Sequence, residues 1–254
     1  MTKEKISSNE INISYPFSPP IASTNLPDNI VKRLLDFCNN VWSKEIHSGE
    51  KNEELEYGKQ LVGRNYSEID IRKILDQSGA TLGIAQIAAH FLNSTHILLD
   101  ARQPILPQDI KFVGAWANLT LPNYDYNPIH MHPDCLLTTV GYLEVPDWEK
   151  MRQASNLTGK VIKSHLKDGQ PGSLVILPDI TATHSPFIPH AINVIPEVGK
   201  YYMFPGNTKH CVYPYPEGYG YRKSFVVNIS LSNDGFRKTN IPKFCKNTAF
   251  GYVN

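Results

Sequence analysis

The chain has 254 residues, long enough for one large domain or two small ones with a sizeable core. Its 25 basic side chains nearly balance 24 acidic ones, so overall charge makes no case for a nucleic acid or an acidic membrane surface as the main partner. No run of about eighteen apolar residues reads as a membrane-spanning helix, and four cysteines without CxxC spacing, after a polar start MTKEKISSNE, fit a reduced, cytoplasmic protein.

In chain order, the opening segment through YPFSPP is rich in Pro and Ser and reads as an extended lead-in. Asn25-Leu-Pro-Asp then resembles a helix start. Ile30, Val31, Leu34, Leu35, Cys38, Val41 and Trp42 follow at three-to-four spacing and predict an amphipathic helix. A charged stretch, HSGEKNEELEYGK, separates it from a short predicted helix over 67–77, with Ser67 and Asp70 as a box-like cap. A buried helix is predicted from Thr81 to Leu92. After Pro107 the texture changes to short β-branched segments between Pro, Gly, Asn and Asp clusters: KFVGAWANLTL, CLLTTVGYLEV, GSLVILP, HAINVIP, GKYYMFPG and YRKSFVVNISL. Their number and spacing predict an all-β barrel or jelly roll rather than a βαβ sheet. The expected organisation is helices first and strands second: a lead-in and helical buttress over 1–106 integrated with a β core over 107–254.

Chemistry concentrates in NPIHMHPDCLLTTVGY (Asn127–Tyr142). On a strand, His130, His132 and Asp134 would project to one side. A facial iron site needs three protein ligands on one face and leaves three positions open, commonly with two histidines and a carboxylate. A third ligand must come from a distant strand, and His210, after the Pro205-Gly206 turn, is the candidate. Twelve residues later stands Arg222, followed by Ser224 at i+2. On a strand these two share a face and suit a carboxylate ligand, Arg222 by its planar fork and Ser224 by its hydroxyl. Cys135 and Cys211 lie near these histidines, but structural thiolate sites pair their ligands closely, and these two are far apart in sequence.

The order HxH-P, then LLTTVGYLxVP, GSLVILP, F-P-x(4)-H-x-V-x-P and R-x-S-x(3)-N resembles the iron(II) and 2-oxoglutarate dependent oxygenase superfamily. More narrowly it is similar to a subfamily reading roughly N-x-x-H-x-H-P-x-S-x-L-S-G-V-Y-Y-L-x-V-P, over about Trp116 to Leu231. The resemblance implies a double-stranded β-helix (a jelly roll, cupin-like), a resident Fe(II), and 2-oxoglutarate and O2 as cosubstrates. It also implies hydroxylation of a peptide side chain or small molecule coupled to decarboxylation of 2-oxoglutarate to succinate. It makes His210 the distal ligand and puts Arg222 with Ser224 on the far carboxylate of 2-oxoglutarate, with Asn118 and Tyr142 lining the same pocket. The chain departs from the subfamily at Cys135, where the pattern has Ser, and at Gly141, where it loses an aromatic residue.

The proximal ligands stay open between two sets. His132-Pro-Asp134 satisfies the superfamily's H-x-D literally, whereas Tyr126-Asn-Pro-Ile-His130-Met-His132 resembles a prolyl-hydroxylase frame with His132 in the acid's place. Two other functions compete. A cupin-type metalloprotein would use HxH and G-x(5)-P-G-x(3)-H, although Leu136 stands where its acid belongs and Arg222 is left without a role. A non-catalytic barrel, a binding or structural module or one that only binds metal, would keep the architecture without turnover, and a protein without about one equivalent of metal would favour it. A histidine pair on a strand is, taken alone, more often a hydrogen-bonded surface feature than a ligand pair. Taken singly, Arg222 reads as an ordinary salt-bridged arginine and Ser224 as strand filler. His47, His90, His96, His165, His184 and His190 lack partner spacing and read as structural or exposed. Tyr201, Tyr202, Phe204, Tyr213, Tyr215, Tyr219 and Tyr221 read as core and rim packing. The polar segment 147–172 is longer than a hairpin needs and is expected at the substrate entrance.

Overall fold

A computed structural model describes residues 11–14, 20–61, 63–95, 103–123, 125–158, 171–177 and 191–239. The predicted first helix is α1 (Asp28–Ser48), begun after Pro27 and closed by Gly49 at φ 75°. That positive φ is the left-handed conformation which glycine adopts without a Cβ clash. Its buried face, Ile30, Val31, Leu34, Cys38, Val41 and Trp42, is the apolar stripe read from the sequence, extended by a buried Glu45. The buried helix is α3 (Ala80–Ser94).

Helices do not simply precede strands. β1 (Asn12–Ser14) and β2 (Ile21–Asn25) lie in the lead-in, and Ser67–Asp70, expected in a helix, forms β3 with alternating burial. Ser67 and Ile69 point into the core, and the helix begins only at α2 (Arg72–Ser78), where the Asp70 carboxylate accepts the Arg72 N–H at 2.8 Å. Asp70 thus serves the helix from the end of a strand, and pairing with the next strand outweighs local helix propensity.

The remaining strands are β4 (Ile110–Thr120), β5 (Asn127–His130), β6 (Leu137–Glu144), β7 (Leu174–Ile176), β8 (Ile192–Val194), β9 (Lys200–Pro205), β10 (His210–Val212) and β11 (Arg222–Leu231). They build two sheets, in the orders β1-β2-β9-β6-β11-β4-β3 and β5-β10-β7-β8, and every pairing is antiparallel. The fold is therefore mostly β with N-terminal helices, as expected, but it is two sheets face to face, and no closed barrel is formed among the described residues.

Period-2 alternation sorts each central strand of the larger sheet between two cores. One face carries Leu143, Tyr201, Met203, Phe225, Val227 and Ile229 against α1, α2 and α3; the other carries Val140, Tyr142 and Phe204 against Leu174, Ile176, Val194 and Val212 of the smaller sheet. Each fully buried aliphatic or aromatic side chain contributes about 1.5–3 kcal/mol. The helices back the larger sheet and leave the space between the sheets for polar groups. Of segment 147–172, the described part begins with α4 (Trp148–Thr158), whose Trp148 ring packs edge-on to Tyr215; residues 159–170 lie outside the described residues.

Candidate metal centre and anion pocket

Strand pairing assembles the histidines. His130, the last residue of β5, is the register partner of His210, the first residue of β10. His132 follows in the turn after β5, held by its N–H donating to the Gly206 carbonyl at 2.7 Å. The ring centroids lie 4.3 Å apart for His130 and His210, 5.1 Å for His132 and His210, and 5.2 Å for His130 and His132. One ring nitrogen from each falls within 4.8 Å of the others, the one such group of metal-capable side chains among the described residues.

Hydrogen bonds decide which nitrogen is presented. Nδ1 of His130 lies 2.7 Å from the Pro128 carbonyl, and Nδ1 of His210 lies 2.9 Å from the Thr208 carbonyl. A carbonyl only accepts, so both rings carry their proton on Nδ1 and keep a lone pair on Nε2. His132 Nδ1 meets Asn228 Oδ1 at 2.8 Å. Burial lowers the pKa of all three imidazoles, to about 4 for His132 and about 3 for His210, the latter further depressed by its histidine neighbours. Converging, neutral imidazole lone pairs with occupied far nitrogens form a donor set that suits a divalent transition metal.

Asp134 is exposed in the turn beyond His132 and stands outside this group. Cys135 and Cys211 are free, buried thiols. Burial pushes the Cys135 thiol up to about 12, its Sγ donates to the His132 carbonyl, and it is not among the clustered side chains. His47 lies exposed on α1 and His90 half-buried on α3; the other four histidines without partner spacing fall outside the described residues.

From the larger sheet, a second polar group faces the same inter-sheet space. Ser224 of β11 is in register with Asn118 of β4 on one side and with Tyr142 of β6 on the other. These three and Arg222 are almost fully buried, with Arg222 only 1% exposed. Asn118 Oδ1, Tyr142 Oη, Ser224 Oγ and Arg222 Nε all lack a completed hydrogen bond, although the guanidinium lies 5.4 Å from the Tyr142 ring centre. The neighbouring Lys223 pairs with Glu144 at 2.6 Å; Arg222 forms no ion pair with any described residue. A buried cation beside unpartnered hydroxyls is costly unless an anion completes it. This is the chemistry of a carboxylate pocket. Tyr215 sets its edge: its hydroxyl accepts the Arg222 N–H at 2.9 Å and donates to the Thr120 carbonyl at 2.9 Å, fixing the start of β11 against the end of β4. Of the tyrosines read as packing, Tyr201 and Tyr215 are buried, whereas Tyr213 and Tyr221 are exposed.

Several residues around the metal-capable group were not singled out by sequence reading. Trp116 stacks on His132 at 5.7 Å and 13°, and Tyr57 stacks on Trp116 at 5.0 Å and 8°. Thr138 and Asn228 close on His132 Nδ1. Asn228 closes the R-x-S-x(3)-N pattern and by strand parity shares the face of Arg222 and Ser224, so the sequence carried a signal for it; nothing in the sequence pointed to Tyr57.

Residues 114–228 match the model of the family described as "Putative 2OG-Fe(II) oxygenase". No curated protein matches the chain. Among solved structures, the chain is similar to a Pseudomonas putida prolyl-4-hydroxylase, at 14% identity and a TM-score of 0.51 over 86% of this chain and 96% of that one. It is also similar to AviO1 from Streptomyces viridochromogenes Tue57, at 11% identity and a TM-score of 0.53 over 91% and 96%. A third similarity is to the non-heme alpha ketoglutarate dependent carbocyclase SnoK from nogalamycin biosynthesis, at 13% identity and 0.52 over 90% and 87%. At these identities the structural likenesses speak for the fold alone.

Proposed function

We propose that this chain, whose residues 114–228 match the model of the 2OG-Fe(II) oxygenase family, is a dioxygenase that hydroxylates a peptide side chain or small molecule while 2-oxoglutarate is decarboxylated to succinate. In this reading His130, His132 and His210 hold Fe(II), Arg222, Ser224 and Tyr142 take the far carboxylate of 2-oxoglutarate, and Asn118 lines the same pocket. With 2-oxoglutarate bound, Fe(II) supplies the activation of O2 that drives both the decarboxylation and the oxidation of substrate.

The chain's own residues bind, orient and exclude water. Three neutral ligands leave the full charge of the divalent ion to attract an anionic cosubstrate, where a carboxylate ligand would offset part of it. Arg222 anchors the other end of that cosubstrate, and the Tyr142 and Ser224 hydroxyls donate to the carboxylate oxygens the guanidinium leaves free. Phe204, edge-on to His210 at 5.2 Å, joins Val140, Leu174, Ile176 and Val212 in an apolar wall that keeps bulk water from the reacting atoms.

The observation that carries this reading is the pairing, in the space between the two sheets, of a metal-capable histidine group with a buried arginine that has no ion pair among the described residues and stands among orphaned hydroxyls. A cupin-type protein or a non-catalytic module gives that arginine no role. The test measures metal content, 2-oxoglutarate affinity and succinate release on one preparation. One equivalent of Fe(II), 2-oxoglutarate binding abolished by Arg222→Leu, and succinate formed with iron support it. Tight 2-oxoglutarate binding unaffected by Arg222→Leu, or no metal uptake, sinks it.

A further inference from the structure

The three imidazoles are not held alike. His130 and His210 direct Nδ1 at backbone carbonyls, which fixes their proton whatever the side chains nearby. His132 directs Nδ1 at a side-chain amide on another strand, at 2.8 Å from Asn228 Oδ1. An amide presents either an acceptor or a donor according to its orientation. If Nδ2 faced the ring, the His132 proton would move to Nε2 and point into the centre shared with His130 and His210, leaving two lone pairs there in place of three.

We propose that Asn228 is the positioning residue that makes His132 a ligand: its Oδ1 takes the Nδ1 proton, so that Nε2 faces the metal. This rests on the metal-centre reading above and adds a requirement on one residue outside the ligand set. The surroundings favour that orientation. Thr138 Oγ1 lies 2.9 Å from the same Oδ1 and 3.2 Å from His132 Nδ1, so the two lone pairs of Oδ1 are met by two donors, the ring N–H and the threonine O–H. Trp116, nearly parallel to the imidazole, blocks rotation of the ring out of that hydrogen bond. Beside this contact β4 carries a one-residue bulge at Val113, since Asn228 pairs with Gly114 and Ile229 with Phe112. Such bulges re-aim side chains next to functional sites. His132 also sits in a turn beyond the end of β5, where no strand pairing orients it. Of the three ligands it therefore depends most on a side-chain partner.

Two readouts test this without turnover. In metal-free protein, long-range proton–nitrogen NMR should find His132 as the Nδ1–H tautomer, and Asn228→Ala should release that preference. In Co(II) titrations followed by ligand-field absorption, Asn228→Ala should bind about 10- to 100-fold more weakly. Asn228→Asp keeps an acceptor at Nδ1 and should restore affinity to within a few-fold of wild type, whereas Asn228→Leu, of similar volume but with no acceptor, should bind as weakly as Asn228→Ala, which a role in packing alone would not predict. Thermal unfolding checks that each variant is folded; if Asn228→Ala is not, Asn228→Asp and the wild-type tautomer decide. Unaltered Co(II) affinity in folded Asn228→Ala, or an Nε2–H tautomer in wild type, overturns this proposal alone. A wild-type protein that takes up no Co(II) overturns the metal centre and this proposal with it.

Discussion

Phe225 lies directly over Gly141: a Cβ on Gly141 would come within 2.2 Å of the Phe225 ring. The two are register partners on β11 and β6, and Tyr201, the partner of Gly141 on β9, stacks on Phe225 at 5.8 Å. The aromatic residue missing at position 141 is thus replaced by a ring reaching across from the next strand, which covers the bare glycine backbone. Gly141→Ala is expected to destabilise the protein by about 1–3 kcal/mol, because Phe225 is fully buried and has no open rotamer to move to. Urea unfolding measures it; an unchanged midpoint would show that the ring is not fixed there.

Tyr142 and Ser224 should show effects of opposite sign on stability and on binding. Without cosubstrate, their buried hydroxyls complete no hydrogen bond, so Tyr142→Phe and Ser224→Ala remove a desolvation cost and leave the ligand-free protein as stable as wild type or more so. Each hydroxyl would donate to the cosubstrate carboxylate, and a bond to a charged group is worth about 1.5–3 kcal/mol, so 2-oxoglutarate affinity should fall about tenfold or more. Calorimetry with thermal unfolding reads both. Loss of stability with unchanged affinity would move these residues out of the pocket.

Gly206 sets the position of the His132 turn. Its carbonyl accepts from His132 N–H, its own N–H donates to the Leu136 carbonyl at 3.0 Å, and a Cβ would lie 2.4 Å from the Cys135 carbonyl and 2.6 Å from the His132 carbonyl. Backbone cannot yield as a flexible side chain can. Gly206→Ala should therefore push the 132–135 turn away from the turn that follows β9 and weaken Co(II) binding by about tenfold or more, with a stability loss of about 1–3 kcal/mol. Full Co(II) affinity in this variant would mean that the turn adapts without moving the imidazole.

Much of this was legible in the sequence, and the exceptions share a cause. The strands of the β half announce themselves by alternation and turn residues, and His130, His132 and His210 by spacing. What spacing could not decide was whether Asp134 or His130 joins the other two, because i and i+2 fits both pairs. The outcome depends on β5 ending at His130, which puts His132 in the turn and Asp134 beyond it in solvent. β1, β2 and β3 escaped notice because β1 and β3 are short sheet edges and all three lack a long apolar run, and because Ser67-x-x-Asp70 is spaced like a helix cap. The lateral row Asn118–Ser224–Tyr142 exists only once register is set, and register is not written in any one segment.

Glu68 gives the fold a pH dependence that lies apart from the histidines. Burial raises its carboxyl from 4.5 to about 7, Asp125 and Glu56 add to the shift, and the Asn65 amide, donating at 2.7 Å, opposes it. With the folded value above the unfolded one, the folded protein holds the extra proton between about pH 4.5 and 7. Stability from this group is then fully present below pH 4.5, falls as pH rises to about 7, and is level beyond. The total change is roughly 3 kcal/mol at most. Glu68→Gln mimics the protonated acid and should be more stable than wild type at pH 8, with the difference vanishing towards pH 4.5. The same Asn65 amide bonds Asn127 Oδ1 at 2.9 Å, and Thr120 Oγ1 donates to Asn65 Oδ1 at 3.0 Å, so this network reaches the first residue of β5, the strand that carries His130. Urea titrations across pH 4.5–8 on both proteins supply the comparison, and parallel curves would place the Glu68 carboxylate in water rather than in the core.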